Sequence, residues 1–370
     1  MWKALRPDAA RSLGDPMVRE RFPSYVGILE GRFRARYLVA KELELERPSL
    51  DDQASLEDAW RIHDAAAEEF RNFLADERKG EQLPKETVPA YSFLDLKADL
   101  ASKLVENCCL CERRCGAKRK RGKTGICGLD ATALVSSAFL HVGEEAPLVP
   151  SGTIFFTGCT FSCVFCQNFD ISQEWRRSPQ GRPVDGEALA KIATRLADSG
   201  ARNVNYVGGD PTSHAHVVLD SLRHQDRNVT QLWNSNLYAS SELMALLLDV
   251  VDFWLPDFKY GNDDCARKYS KVDNYWEVVT RNHALAHDVG SGEVIVRHLV
   301  MPGHVECCTK PVLNWLADHA PNVVVNVMGQ YRPEYKARRF PEINRRPTRE
   351  EMNEARAHAS ELGLVWRLVA

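Results

Sequence analysis

The 370-residue chain contains no run of about 18 apolar residues, so no segment is long enough to cross a bilayer as a helix. Neither sign of charge is in excess: 48 Lys and Arg against 51 Asp and Glu leave a formal net charge of −3. No whole-chain field therefore points to nucleic acid or to an anionic membrane surface. Internal repeats and low-complexity tracts are missing too, which excludes a repeat architecture. The opening residues, MWKALRPDAARSLGD, lack the apolar core of a secretory signal, and the expectation is a cytoplasmic protein with no membrane partner.

What the chain does have is cysteine. Eleven of them would suggest disulfides in a small secreted domain, but this chain is larger and clusters them at short spacings. That pattern points to thiolate ligands in a reducing compartment. The 44% hydrophobic and 27% charged composition is that of a globular protein, long enough for one large catalytic domain with a smaller appended region, or for two ordinary domains.

Residues 1–104 are rich in Glu, Arg, Ala and Leu, with helical spacing at 36–44 and 56–74 and a polar, proline-containing break near 79–89. They read as a helical N-terminal extension without a catalytic pattern. Residues 105–150 read as a small Cys-rich metal-binding segment, because the cysteine- and glycine-rich stretch 107–129 needs an organiser other than an apolar core. From residue 151, β-branched or aromatic runs at 153–157, 203–207, 229–233, 251–255, 294–300 and 323–328 alternate with amphipathic stretches at 186–199, 240–249, 275–287 and 309–319. Continuous apolar strands separated by helices imply a parallel sheet buried on both faces. The fold class is therefore α/β: a partial (β/α)6 barrel of the TIM type over 151–345, with a doubly wound sheet as the alternative. Residues 346–370 read as a C-terminal helix and strand.

In either architecture the chemistry belongs at the carboxyl ends of the strands. The unusual residues fall there: Gly158 and Cys159 after the first run, Gly208, Gly209 and Asp210 after the second, Asn234 and Asn236 after the third, Asp257 and Lys259 after the fourth. Cys159, Cys163 and Cys166 form a C-x3-C-x2-C loop. Three thiolates there can hold three irons of a cubane and leave one iron open to chelate a substrate. The bland reading, a zinc knuckle, wants a fourth Cys or His, and none follows closely.

Cys108, Cys111, Cys115 and Cys127 supply a second set of four thiolates, set among glycines that permit tight turns. Zinc, mononuclear iron and an additional iron-sulfur cluster all suit it. The basic run Lys118, Arg119, Lys120, Arg121 and Lys123 reads as solvated cations offsetting thiolate charge. A nucleic-acid contact is disfavoured, since no aromatic stacking pattern accompanies the run. His304, Cys307 and Cys308 follow the fifth strand run; they could ligate a metal, meet a cofactor or donate a hydrogen atom, or be ordinary buried cysteines. His214, His216 and Cys265 read as packing or surface residues.

The Cys159–Cys163–Cys166 loop, with Phe165 as its aromatic, resembles the signature of the radical S-adenosylmethionine (SAM) superfamily. Gly208-Gly209-Asp210-Pro211 looks like that family's GGE-type motif, with Asp in place of the more usual Glu. Asp257-Phe258-Lys259 resembles the DxK element of the pyruvate formate-lyase activating enzyme group. Residues 151–159, Cys166-Gln167-Asn168, Trp233-Asn234-Ser235-Asn236, 256–262 and 304–311, together with the N-terminal cysteine loop, are similar to the PflX-type branch of that group. The resemblance runs from about residue 105 to 346.

It implies a 4Fe-4S cluster on the three cysteines and SAM contacted by Phe165, Gly208, Gly209, Asp210, Asn234, Asp257 and Lys259, with Arg297 as a cation near the SAM carboxylate. It also implies reductive cleavage of SAM to a 5′-deoxyadenosyl radical, and hydrogen abstraction from a protein or peptide substrate. A reducing partner such as ferredoxin or flavodoxin would be needed. The named alternative is a cobalamin-dependent C-methyltransferase acting on a protein such as methyl-coenzyme M reductase, at a glutamine Cα. A tRNA-modifying enzyme is a second alternative, motivated by the basic loop.

Overall fold

The computed structural model describes residues 2–79, 88–177 and 181–369, so most of the expected break near 79–89 lies outside the described residues. Its strands are β1 (Ala133–His141), β2 (Ser151–Phe156), β3 (Arg182–Val184), β4 (Asn203–Gly208), β5 (Thr230–Trp233), β6 (Phe253–Trp254), β7 (Ile295–Leu299) and β8 (Val324–Met328). β2, β4, β5 and β6 are parallel neighbours, and β7 and β8 form a parallel pair. Single bridges from Trp254 to Val294 and from Asp257 to Arg297 join β6 to β7. Helices Gly186–Asp198, Ala215–Arg223, Ser241–Leu247, Tyr275–Asp288 and Lys310–His319 fill the crossovers. The result is the open (β/α)6 barrel that the apolar runs predict.

Two strands stand outside that pattern. β1 lies antiparallel between β2 and β3, which moves residues 133–141 out of the cysteine-rich segment and into the sheet. Its sequence, ALVSSAFLH, mixes serines with apolar residues and is exposed in its middle, so it carries no clean period. At the C-terminus the helix Arg349–Glu361 is present, but the expected strand shrinks to one bridge from Val365 to Val324. The chain then turns through Arg367–Val369 because Val369 is buried in the barrel core.

That core has two halves. Under β2 and β4 it is polar: Ser151 Oγ donates to Asn203 Oδ1 at 2.7 Å, and Asn205 Nδ2 donates to Glu144 Oε1 at 3.0 Å. Under β5 to β8 it is apolar. Helices Pro16–Arg21 and Pro23–Leu29 bring Phe22 and Tyr25 against Phe253, with ring centroids 5.0 and 5.2 Å apart, in a cluster with Leu232, Leu255, Ile295 and Val324. The N-terminal extension thus closes the end of the barrel opposite the strands' carboxyl ends.

Helices Gln53–Arg78 and Phe93–Leu104 pack on the barrel's outer face through a buried charge. Lys97 Nζ donates to Asp249 Oδ2 at 2.7 Å and to the Ala245 carbonyl at 3.2 Å, and both ends of the ion pair are fully buried. Removing one partner of such a pair strands the other in a low dielectric. Lys97→Met should therefore cost about 3 kcal/mol of unfolding free energy, the lower end of the usual range because Arg71 also approaches Asp249, at 3.7 Å. Denaturant titration of the two proteins measures the difference.

Candidate functional site

The loop after β2 leaves the sheet at Gly158, whose φ of +76° is a left-handed conformation that a side chain would strain. A Cβ there would also meet Leu129 at 2.6 Å. The loop is then held from all sides by main-chain bonds: Gly158 N to Ile171 O at 2.8 Å, Ser162 N to Ser270 O at 3.0 Å and Val164 N to Tyr269 O at 2.8 Å. These contacts present the sulfurs of Cys159, Cys163 and Cys166 to one cavity of about 810 Å³.

Each sulfur has a polar neighbour. Ser270 Oγ lies 2.9 Å from Cys163 Sγ, Ser172 Oγ lies 3.2 Å from Cys166 Sγ, and Asn236 Nδ2 lies 3.9 Å from Cys159 Sγ. Ser172 and Ser270 are absent from the sequence expectation, and a single serine 107 residues from its cysteine carries no spacing signal that could have found it. Burial pushes the Cys159 thiol well up, the Cys163 thiol up to about 12 and the Cys166 thiol up. Thiols so buried keep their protons until a metal ion displaces them.

The other expected ligand-binding residues line the same cavity: Phe165, Gly208, Gly209, Asp210, Asn234, Asp257, Lys259 and Arg297. They do not all face it with free groups. Asp210 accepts from Thr212 N at 2.9 Å and from Asn236 N at 3.1 Å, so both its oxygens pin the loops in place; burial nonetheless raises it to about 6. Lys259 Nζ pairs with Asp257 Oδ2. Asn234 Nδ2 is buried and has no acceptor among the described residues.

Arg297, expected as a cation near the SAM carboxylate, lines the cavity paired with two carboxylates. Its Nε donates to Glu145 Oε1 at 2.8 Å and its Nη2 to Glu145 Oε2 at 2.6 Å, and Nη2 also pairs with Glu144. Burial opposes the charge on both sides of this group, yet Arg297 and His141 hold the Glu144 carboxyl down to about 2. Asn326 Nδ2 adds a bond to Glu145 Oε1 at 2.8 Å. The result is a fixed polar wall of the cavity in which one guanidinium is shared by two carboxylates. Glu144 and Glu145 were not singled out in the sequence, although two adjacent carboxylates just before the first barrel strand were visible there.

The glycine turn explains how the two loops come so close. A Cβ on Gly208 would lie 2.2 Å from Phe156 N, and one on Gly209 would lie 1.8 Å from the Gly158 carbonyl oxygen. Only bare backbone fits between the loops after β2 and β4.

Cys108, Cys111, Cys115 and Cys127 line one small pocket together with Arg113 and Arg119, but no three of their sulfurs lie within 4.8 Å of one another. Cys109 is not among its lining residues. Arg119, expected to be solvated, is buried instead: Nη2 donates to the carbonyls of Asp130 and Ser213 at 2.7 and 2.8 Å, and Nη1 lies 3.6 Å from Cys108 Sγ. Lys120 pairs with Glu106 at 3.1 Å. Arg113 Nε donates to the Thr160 carbonyl at 3.0 Å and so ties this loop to the three-cysteine loop.

The model of the Radical SAM superfamily matches residues 153–316. The uncharacterized protein MJ0674 of Methanocaldococcus jannaschii is 42% identical over 336 residues, which span 90% of this chain and 94% of the relative. Uncharacterized protein MJ0808 of the same organism is 26% identical over 181 residues, 48% of this chain and 50% of that one. Among solved structures, a domain of pyruvate-formate lyase-activating enzyme from Bacteroides vulgatus aligns over 44% of this chain and 96% of its own, at 17% identity and a TM-score of 0.37. Streptococcus suis SuiB bound to the precursor peptide SuiA aligns over 56% and 46%, at 11% identity and a TM-score of 0.41. The matched region begins in the strand that carries the three-cysteine loop and ends beyond the last residue lining its rim from β7, and the chain belongs to the radical SAM superfamily.

Proposed function

We propose that this chain holds a 4Fe-4S cluster on Cys159, Cys163 and Cys166, cleaves SAM reductively at it, and abstracts a hydrogen atom from a polypeptide. The observation that carries the reading is the meeting of three buried thiols and a side-chain-free glycine turn on one cavity of about 810 Å³. The residues fit the family's cofactors. Among the described residues no fourth Cys lines the cavity, so a cubane there would keep a corner free, and the Asn234 amide, without an acceptor, offers a donor to a bound acceptor. When bound, the reduced cluster and SAM supply the 5′-deoxyadenosyl radical that takes the hydrogen atom.

The protein's own part is positioning and exclusion. Gly208 and Gly209 let the loop after β4 press directly against the cysteine loop, while Asp257 and Lys259 present a paired charge at the cavity rim. Ser172, Ser270 and Asn236 place polar hydrogens near the three sulfurs, which stabilises thiolate over thiol once metal is present. The wall built from Glu144, Glu145, Arg297 and Asn326 offers hydrogen-bonding groups of fixed orientation, suited to an amide-bearing substrate.

The polypeptide substrate rests on the resemblance of the cysteine, Asn234–Asn236 and Asp257–Lys259 motifs to the activating-enzyme branch. Eleven free cysteines support a reducing, cytoplasmic setting with a one-electron donor such as ferredoxin or flavodoxin. No helix among the described residues is long and apolar enough to cross a membrane.

Anaerobic reconstitution followed by reduction with SAM present tests the reading. Wild-type protein should release 5′-deoxyadenosine, and Cys163→Ala should reduce the release to background with unchanged circular dichroism. Release by the variant at the wild-type rate would remove the proposal. Adding candidate peptides and methylcobalamin to the same assay distinguishes hydrogen abstraction from methyl transfer, which would appear as a mass gain of one methyl group.

Gly209→Ala provides a second test, since its new methyl would press on the Gly158 carbonyl. Overpacking of this kind costs about 1–3 kcal/mol. Taken up by the cysteine loop, that cost should weaken SAM binding about 10- to 100-fold, measured by equilibrium dialysis on the reconstituted protein.

A further inference from the structure

Outside the cavity, among the described residues, one group of three metal-ligating side chains has all its ligand atoms within 4.8 Å of one another: Cys265, Cys307 and Cys308. The three come from two separate elements. Cys265 sits in the first turn of the helix Asp263–Ser270, where its amide donates to the Asn262 side chain at 2.8 Å. Cys307 and Cys308 lie in the π-helical turn Val305–Thr309 that follows β7, a widened turn of the kind that recurs at functional sites.

The elements are locked together independently of any ion. Asn262 Nδ2 donates to the Cys307 carbonyl at 2.7 Å. Gly261 lies so close that a Cβ would come within 2.7 Å of that oxygen and 2.9 Å of Cys308 Cα. The thiols are thus held in place by backbone contacts, which is what a pre-formed ligand set requires.

We propose that Cys265, Cys307 and Cys308 form a three-thiolate zinc site, its fourth position open to solvent. Tetrahedral thiolates on zinc, with Zn–S bonds near 2.3 Å, lie about 3.8 Å from one another. Cys307 Sγ and Cys308 Sγ are 4.0 Å apart. A disulfide between them is disfavoured, because the Cα atoms of adjacent residues are about 3.8 Å apart and the bond wants roughly 4.4–6.8 Å. Burial grades across the trio from Cys308, buried, through Cys265 to Cys307, exposed, so the ion has a path of entry and a solvent-facing side.

His304 is close to Cys265 but already occupied. Its Nδ1 lies 2.8 Å from the Pro302 carbonyl and its Nε2 3.0 Å from the Tyr269 hydroxyl. It therefore borders the site without counting as a ligand. Binding releases the three thiol protons as zinc takes the three sulfurs, and no electron changes hands. The site would clamp the helix Asp263–Ser270, whose last residue faces Cys163, to the turn after β7. None of its ligands lines the 810 Å³ cavity, so the site stands or falls independently of the radical reading.

The test uses full-length protein, purified anaerobically, reconstituted with iron and sulfide, then equilibrated with zinc and desalted. Elemental analysis should find one zinc per chain fewer in a Cys265→Ser, Cys307→Ser double variant than in wild type, at equal iron content. In wild type, peptide-resolved alkylation with iodoacetamide should modify Cys307 at least about tenfold more slowly with zinc than after treatment with EDTA, a readout that survives even if the variant misfolds. Equal zinc in both proteins, alkylation indifferent to zinc, iron in place of zinc at the trio, or a disulfide from Cys265 to Cys307 or Cys308 in the anaerobic protein would each overturn the assignment.

Discussion

The loops after the first two barrel strands touch backbone to backbone, and the rest of the site is hung on that contact. Gly209 N donates to the Phe156 carbonyl at 2.8 Å, and neither Gly208 nor Gly209 has space for a methyl group against the chain opposite. From the glycine turn, Asp210 reaches the Asn236 amide after β5, and the Asn236 side chain reaches back to Thr160 Oγ1 at 2.9 Å and towards Cys159 Sγ. Three strand ends are thereby stitched into one rigid rim before any ligand arrives, so little ordering entropy is left to be lost on binding.

Electrostatics at the rim is arranged by burial and compensated by pairing. The three thiols are buried deeply enough to stay protonated alone, while Lys259 places a positive charge near Cys163 and Cys166 and is itself tempered by Asp257. Deeper in, Arg297 is fully committed to Glu144 and Glu145. A buried arginine between two carboxylates is costly to disturb, and its value lies in holding β7 against the segment that follows β1. That segment therefore belongs to the barrel's inner wall although it precedes the barrel in sequence.

The molecule distributes its cysteines by spacing. Cys108, Cys111, Cys115 and Cys127 line a small pocket, and their loop is joined to the signature loop through Arg113 and the Thr160 carbonyl. Cys159, Cys163 and Cys166 instead line the large cavity at the carboxyl ends of the strands.

Much of the barrel was readable from the sequence because its strands are buried on both faces and so appear as unbroken apolar runs. The run at 203–207 is β4, Asn203–Gly208, and the run at 323–328 is β8, Val324–Met328. β1 escaped because its exposed residues, Ser137, Ala138 and Phe139, are consecutive and break any alternation, and the C-terminal strand failed because Val369 is drawn into the barrel core. The use of Phe22 and Tyr25 to close the barrel bottom left no mark in the sequence, where they sit in an ordinary helical stretch.

At the site, residue types and their place at strand ends put Cys159, Cys163, Cys166, Gly208, Gly209, Asn234, Asp257 and Lys259 together, because a parallel barrel gathers the carboxyl ends of its strands. Local spacing determined that much by itself. Only the tertiary structure decided that Arg297 is held by carboxylates 152 and 153 residues earlier, that Ser270 serves Cys163, and that Cys265 joins Cys307 and Cys308. Those are contacts between elements distant in sequence, whose partners are chosen by packing geometry and leave no periodicity in the chain.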